Sequence, residues 1–149
     1  MDIGCGRCDE LSLLVELFPQ ATLTLIDNDP ASIGYLKKLC GSGMPQVRVV
    51  LADARALDRA ARGPHDLALI RHPDLDAQPD VWDTVIHLAV NELAAGAALV
   101  VTTYSTAEAE TVRRSLALLP VRELAAQPFV EIPVALAGND RYILSWVRH

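Results

Sequence analysis

A chain of 149 residues, 51% of them hydrophobic, is long enough for one domain over residues 1–149 and apolar enough for a two-sided core, which excludes a disordered chain. Its net charge of −6 argues against a nucleic-acid partner held by bulk electrostatics. No apolar run approaches the roughly 18–20 residues that cross a bilayer, and the start, MDIGCGRCDE, lacks the basic-then-apolar pattern of an export signal, so a cytoplasmic address and no membrane partner are expected.

The first predicted element is a short strand over residues 1–3 that runs into the turn Gly4-Cys5-Gly6. A helix is expected over residues 9–18, with Leu11, Leu14, Val15 and Phe18 on one stripe, Asp9 as its N-cap and Pro19 as its stop. Residues 21–26 read as a strand closed by Asp27-Asn28-Asp29-Pro30. A helix then carries Ile33, Leu36 and Leu39 as far as Gly41. Residues 47–51 form a second buried-looking strand, followed by Ala52-Asp53 and a short helix around Leu57. The next strand, residues 67–70, ends at Arg71-His72-Pro73. A helix over 81–93, a strand over 98–104 and a helix over 106–118, capped by Ser105 or Thr106, complete the alternation. The tail reads as two strands, 129–136 and 141–147, joined by the hairpin-type turn Gly138-Asn139-Asp140. Alternation followed by a hairpin predicts an α/β fold: a mostly parallel sheet, helices on both faces, and a C-terminal antiparallel hairpin.

In such sheets ligands gather at the carboxyl ends of the strands, near the point where strand order reverses. The residues at those ends are Asp2, Gly4, Gly6, Asp27, Asp53, Arg71 and His72. Glycines at positions 4 and 6 permit a tight turn and close approach of a ligand to the backbone. A carboxylate closing the next strand, as Asp27 does, is placed to accept hydrogen bonds from a ribose diol. Asp53, or an amide beside it, stands where an adenine amino group would lie.

The stretch DIGCGRCDELSLLVELFPQATLTLIDNDPASI resembles the start of class I S-adenosylmethionine-dependent methyltransferases, with an acid before G-x-G, a helix, and a strand ending in an acid. The resemblance implies a Rossmann-like fold with S-adenosylmethionine as cofactor. It implies that the turn holding Asp2, Gly4 and Gly6 supports the methionine part, that Asp27 holds the ribose hydroxyls, and that Asn28 flanks the adenine. Ala52-Asp53-Ala54 is similar to the family's adenine-side motif, and Arg71 falls at the same rim. Methyl transfer to a small-molecule acceptor is the activity implied; a non-catalytic binding or assembly module that keeps the fold is the alternative.

Nicotinamide binding expects G-x-G-x-x-G, but position 9 is Asp9, and a carboxylate there suits a pyrophosphate poorly. S-adenosylmethionine carries a sulfonium and an ammonium and no phosphate, so acids around the turn favour it.

The chain departs from the family at three places. Cys8 stands where many members have a third glycine. The first strand, which the resemblance puts mid-sheet, has only three residues, so either the natural start lies upstream or a second copy covers the gap, and a homodimer is expected. Arg71-His72-Pro73-Asp74 shares one proline with the acid-or-amide, Pro-Pro, aromatic pattern of amino-methylating relatives. His72 is either a general base near the transferred methyl or a loop histidine before Pro73. Asp74 and Asp76 could hold a substrate amine or be solvated loop acids.

Three cysteines, an odd count, fit a reducing compartment, and no four-ligand metal site is expected. Cys5-Gly6-Arg7-Cys8 is also a C-x-x-C at a predicted helix start, as in a redox pair. Against this, residue 5 leaves no room for a preceding strand, and Ile132-Pro133 is only a candidate for the proline strand such folds carry.

Overall fold

Among the residues described by the computed structural model (1–41, 43–124 and 142–149), seven strands form one sheet. They are β1 (Asp2–Ile3), β2 (Leu23–Asp27), β3 (Val47–Leu51), β4 (His65–Arg71), β5 (Leu93–Thr103), β6 (Val121–Glu123) and β7 (Tyr142–Arg148), ordered β3-β2-β1-β4-β5-β7-β6. Strands β1 to β5 run parallel, and β7 lies antiparallel between β5 and β6. The expected α/β architecture with a closing antiparallel pair is present. The pair is built differently, however. Strand β6 arises from the short segment Val121–Glu123, which has no apolar run to betray it. The expected strand 129–136, the turn Gly138-Asn139-Asp140 and Ile132-Pro133 lie outside the described residues.

Short as it is, β1 sits mid-sheet and pairs on both sides: Asp2 with Leu25 and Leu69, Ile3 with Ile26 and Ile70. Strand order reverses between β1 and β4, so the chain leaves β1 on one side and β4 on the other, opening a crevice at their carboxyl ends.

Successive strand residues face opposite sides of a sheet, and two cores result. Leu25 joins Leu11, Ile33, Leu36 and Cys40 under α1 (Leu11–Leu17) and α2 (Pro30–Cys40). Ile26, Ile70 and Leu99 join the larger cluster beneath α3 (Leu57–Ala60), α4 (Pro79–Asn91) and α5 (Thr106–Leu116). No helix among the described residues is long and apolar enough to cross a membrane.

Several boundaries differ from expectation for local reasons. Helix α1 begins at Leu11 with Glu10, not Asp9, at the N-cap position, because Cys8 takes a left-handed φ of +46° that no helical turn can include. Phe18, expected on the apolar stripe, is exposed at the C-cap. Leu39 is likewise exposed, and Cys40 takes its place in the core. Leu93 belongs to β5 rather than to the preceding helix; a register shift between His65 and Leu67 absorbs the extra residues.

Candidate functional site

The carboxyl ends of the parallel strands surround a cleft of about 220 Å³ lined by Gly4, Asp27, Asn28, Ala52, Asp53, Ala54, Arg71, His72, Gln78, Val81, Trp82 and Val85. Seven of the expected site residues, Gly4, Asp27, Asn28, Asp53, Ala54, Arg71 and His72, therefore meet in one place. Asp2 and Gly6 are not on its lining but stand directly behind it, in contact with residues that are.

The turn after β1 is shaped by left-handed backbone: Gly4 at φ +68°, Gly6 at +53° and Cys8 at +46°. Such angles are open to glycine and strained for other residues. The amides of Gly4 and Cys5 both donate to the Ile26 carbonyl, which ties the turn to the end of β2. Asp27, the last residue of β2, completes the tie: Oδ2 accepts from the Gly6 amide at 2.7 Å and Oδ1 from the Asp29 amide at 2.8 Å. A carboxylate oxygen has two lone pairs, so both oxygens retain acceptor capacity toward the cleft.

Asp53 lies two residues beyond β3 and caps the 3₁₀ turn Ala54–Ala56 through the Arg55 amide. Its carboxylate is also gripped by the Arg55 side chain, at 2.5 Å from Nη2, which holds its pKa down at about 2. Asp29 is the N-cap of α2, accepting from Ala31 and Ser32, and plays no part in the lining.

Behind the cleft, Asp2 is buried and its Oδ2 accepts from Arg71 Nη2 at 3.0 Å and from the Cys8 thiol at 3.6 Å. Its other oxygen, Oδ1, has no hydrogen-bond partner among the described residues. Burial raises the Asp2 pKa above the ordinary carboxylate range, and the Arg71 charge offsets only part of that. Arg71 also pairs through Nη1 with Glu10 and donates to the Cys5 carbonyl at 3.3 Å. The charges facing the cleft are thus two carboxylates, Asp27 and Asp53, and one guanidinium already shared between two acids. That set suits a ligand bearing hydroxyls and positive charge and suits a polyphosphate poorly.

A family model for a methyltransferase domain matches residues 1–96, well over half the chain. The chain belongs to the methyltransferase domain family. S-adenosylmethionine is the cofactor of that family, as the motif around Gly4, Gly6 and Asp27 implied. A comparison with curated proteins finds no match. Solved methyltransferase structures share the fold. An rRNA methylase from Streptococcus thermophilus is 14% identical at a TM-score of 0.72, the match covering 99% of this chain and 84% of that one. The N-methyltransferase NodS from Bradyrhizobium japonicum is 20% identical, with a TM-score of 0.74 and coverage of 99% and 83%. An amino pentose methyltransferase from Micromonospora echinaspora, solved with S-adenosylmethionine bound, is 12% identical, with a TM-score of 0.75 and coverage of 99% and 82%.

In this methyltransferase domain His72 follows β4 in a left-handed conformation, φ +49°, with its amide donating to the Thr102 carbonyl at 3.2 Å. Its ring stacks on Tyr104, the centroids 4.3 Å apart. His72 lines the cleft, so it is not merely a solvated loop residue. The surroundings of the C-x-x-C are the opposite of those that activate a redox thiol. Cys5 and Cys8 are buried free thiols, and burial, reinforced by Asp2, pushes each up to about 12. Among the described residues no group of three or more His, Cys, Asp or Glu is placed to hold a metal.

Sequence reading missed the far wall of the cleft. Gln78, Val81, Trp82 and Val85 come from the start of α4, and the benzo ring of Trp82 lies against Gly4. Their spacing of i, i+3, i+4 and i+7 is one helical face, a signal present in the sequence but indistinguishable there from a core stripe.

Proposed function

We propose that the chain binds S-adenosylmethionine in this cleft and transfers its methyl group to a small-molecule acceptor that enters beside His72. The observation that carries the reading is Asp27, a strand-end carboxylate that braces the glycine turn at 2.7 Å and still has acceptor capacity for a ribose diol. When bound, S-adenosylmethionine supplies a methyl group made electrophilic by its sulfonium. The glycine turn would take the methionyl chain, with Gly4 on the lining and Gly6 behind it, and Asn28 and Asp53 with Ala54 would border the adenine. The acids balance the ligand's positive charge. His72 is the group placed to take a proton from the acceptor. The net charge of −6 supports a small molecule over a nucleic acid as acceptor.

The same fold could serve as a binding module without transfer, and the single proline of Arg71-His72-Pro73-Asp74 favours that second reading. Thermal shift with S-adenosylhomocysteine tests the cofactor site on which the first reading depends. Saturating ligand at about 100 times its Kd adds about 2.7 kcal/mol, a rise of several degrees. That rise is expected in the wild type, to be lost in Asp27→Ala and kept in His72→Ala. No rise at millimolar ligand would point to a module that has lost the cofactor.

A further inference from the structure

We propose that Arg71 is a positioning residue: from β4, at the edge of the cleft, it holds the turn of residues 4–10 in its binding form, its Nη donors engaged by the turn and not by the cofactor. The proposal rests on the cofactor reading above and adds to it the side chain that makes the site possible. Three residues of this turn, Gly4, Gly6 and Cys8, are left-handed, and one of them bears a side chain. The helix that follows has no side-chain cap, since Glu10 makes no such bond. A segment like this does not hold its shape by local preference. Asp27 braces its middle at Gly6. Backbone bonds from Gly4 and Cys5 to Ile26 tie its start, and one guanidinium joins that start to the foot of the following helix.

Arg71 reaches three points of the segment at once. Nη2 donates to Asp2 Oδ2 at 3.0 Å, just before the turn, and to the Cys5 carbonyl at 3.3 Å, within it. Nη1 pairs with Glu10, at the foot of α1. Arginine's planar fork allows this, because its donors diverge in one plane at fixed angles; a lysine ammonium offers no such spread. Arg71 is itself fixed, since its backbone pairs with Thr102 in the interior of the sheet. The arrangement transmits the rigid β4–β5 ladder to the one irregular segment the cofactor must lie on. Glu10 is also what separates this role from the obvious rival, in which Arg71 grips the cofactor's carboxylate. If Glu10 were only a stand-in for that carboxylate, removing it would free Arg71 and tighten binding. If it is a strut, removing it loosens the turn and weakens binding.

The test uses Glu10→Gln, which leaves the buried Asp2–Arg71 pair intact, with Arg71→Lys as second variant. Calorimetric titration with S-adenosylhomocysteine and with adenosine is combined with amide exchange by NMR at Gly6 and Cys8. Expected in Glu10→Gln are affinity for S-adenosylhomocysteine about fivefold weaker, adenosine affinity unchanged because it rests on Asp27, and faster exchange at both amides. Arg71→Lys is expected to follow the same pattern. Unchanged or tighter S-adenosylhomocysteine binding in Glu10→Gln overturns the proposal, as does an equal loss for adenosine. Wild-type protein that binds neither ligand overturns the cofactor reading instead. Exchange then decides the brace alone: faster in Glu10→Gln keeps it, unchanged overturns it.

Discussion

Gly4 and Gly6 have nearly the same backbone angle and different surroundings, so they separate conformational strain from crowding. A Cβ on Gly6 would meet nothing within 4 Å, whereas one on Gly4 would lie 3.1 Å from the Trp82 ring. Gly6→Ala is therefore expected to cost about 1–2 kcal/mol, the price of a left-handed alanine. Gly4→Val adds overpacking of about 1–3 kcal/mol and fills the cleft beside Trp82. Urea unfolding should rank the two in that order, and only Gly4→Val should abolish S-adenosylhomocysteine binding outright. Binding that survives Gly4→Val removes the turn from the site. Cys8 completes the picture: it stands where the resemblance puts a third glycine in many members, and it adopts a glycine-like conformation. Buried beside Asp2 with its pKa pushed up to about 12, its thiol stays protonated at neutral pH, as does that of Cys5. Native protein at pH 8 is expected to react with a disulfide reagent no faster than it opens. Rapid labelling of Cys5 or Cys8 would bring the redox pair back.

At the scale of elements, α5 offers the cleanest measurement. Both Ser105 and Thr106 fit the sequence as caps, and Ser105 is the one used. Its Oγ accepts from the Glu108 amide at 3.1 Å while Glu108 accepts from the Ser105 amide at 3.0 Å, a reciprocal capping box. Ser105→Ala is expected to destabilise the fold by about 1 kcal/mol, and Thr106→Ala by less, through loss of its exposed hydrogen bond to the Tyr142 hydroxyl, in chemical denaturation. Equal losses would mean that the box contributes nothing. The same contrast explains which elements were readable. Helix α5 announces itself by an N-cap and an apolar period, and β4 and β5 by the continuous apolar runs of residues 67–70 and 98–101. Helix α1 misled because its start is decided by the left-handed Cys8, a conformation chosen by the surrounding turn and invisible in residue type. Strand β6 carries too few residues to have a pattern, and exists because β7 offers an antiparallel edge.

For the molecule as a whole, the side of the cleft formed by strand ends was legible, because topology alone sends Gly4, Asp27, Asp53, Arg71 and His72 to one rim. The side formed by α4 was not, since nothing in a helical stripe says that Trp82 faces a ligand rather than a core. Nor does sequence reveal that the acid before the turn is buried. Asp2 carries a consequence for the entire folding equilibrium. Burial raises its pKa, so between the ordinary value of 3.8 and the raised one the native state binds more protons than the unfolded chain. Stability from this group is therefore full at acid pH and is lost as pH climbs through that window. Asp29 and Asp53 act the opposite way: hydrogen bonds depress their pKa values, so their contribution is present above the unfolded value and lost as pH falls, for Asp53 toward about 2. Asp2→Asn keeps the shape and an acceptor for Arg71 while removing the buried charge. Unfolding free energies of the two proteins, measured by urea from pH 3 upward, should coincide at the acid end and diverge as pH rises, with the asparagine variant gaining. A variant that instead loses ground as pH rises would mean that the attraction of Arg71 outweighs the cost of burying Asp2, so that the charged pair behind the glycine turn stabilises the fold instead of taxing it.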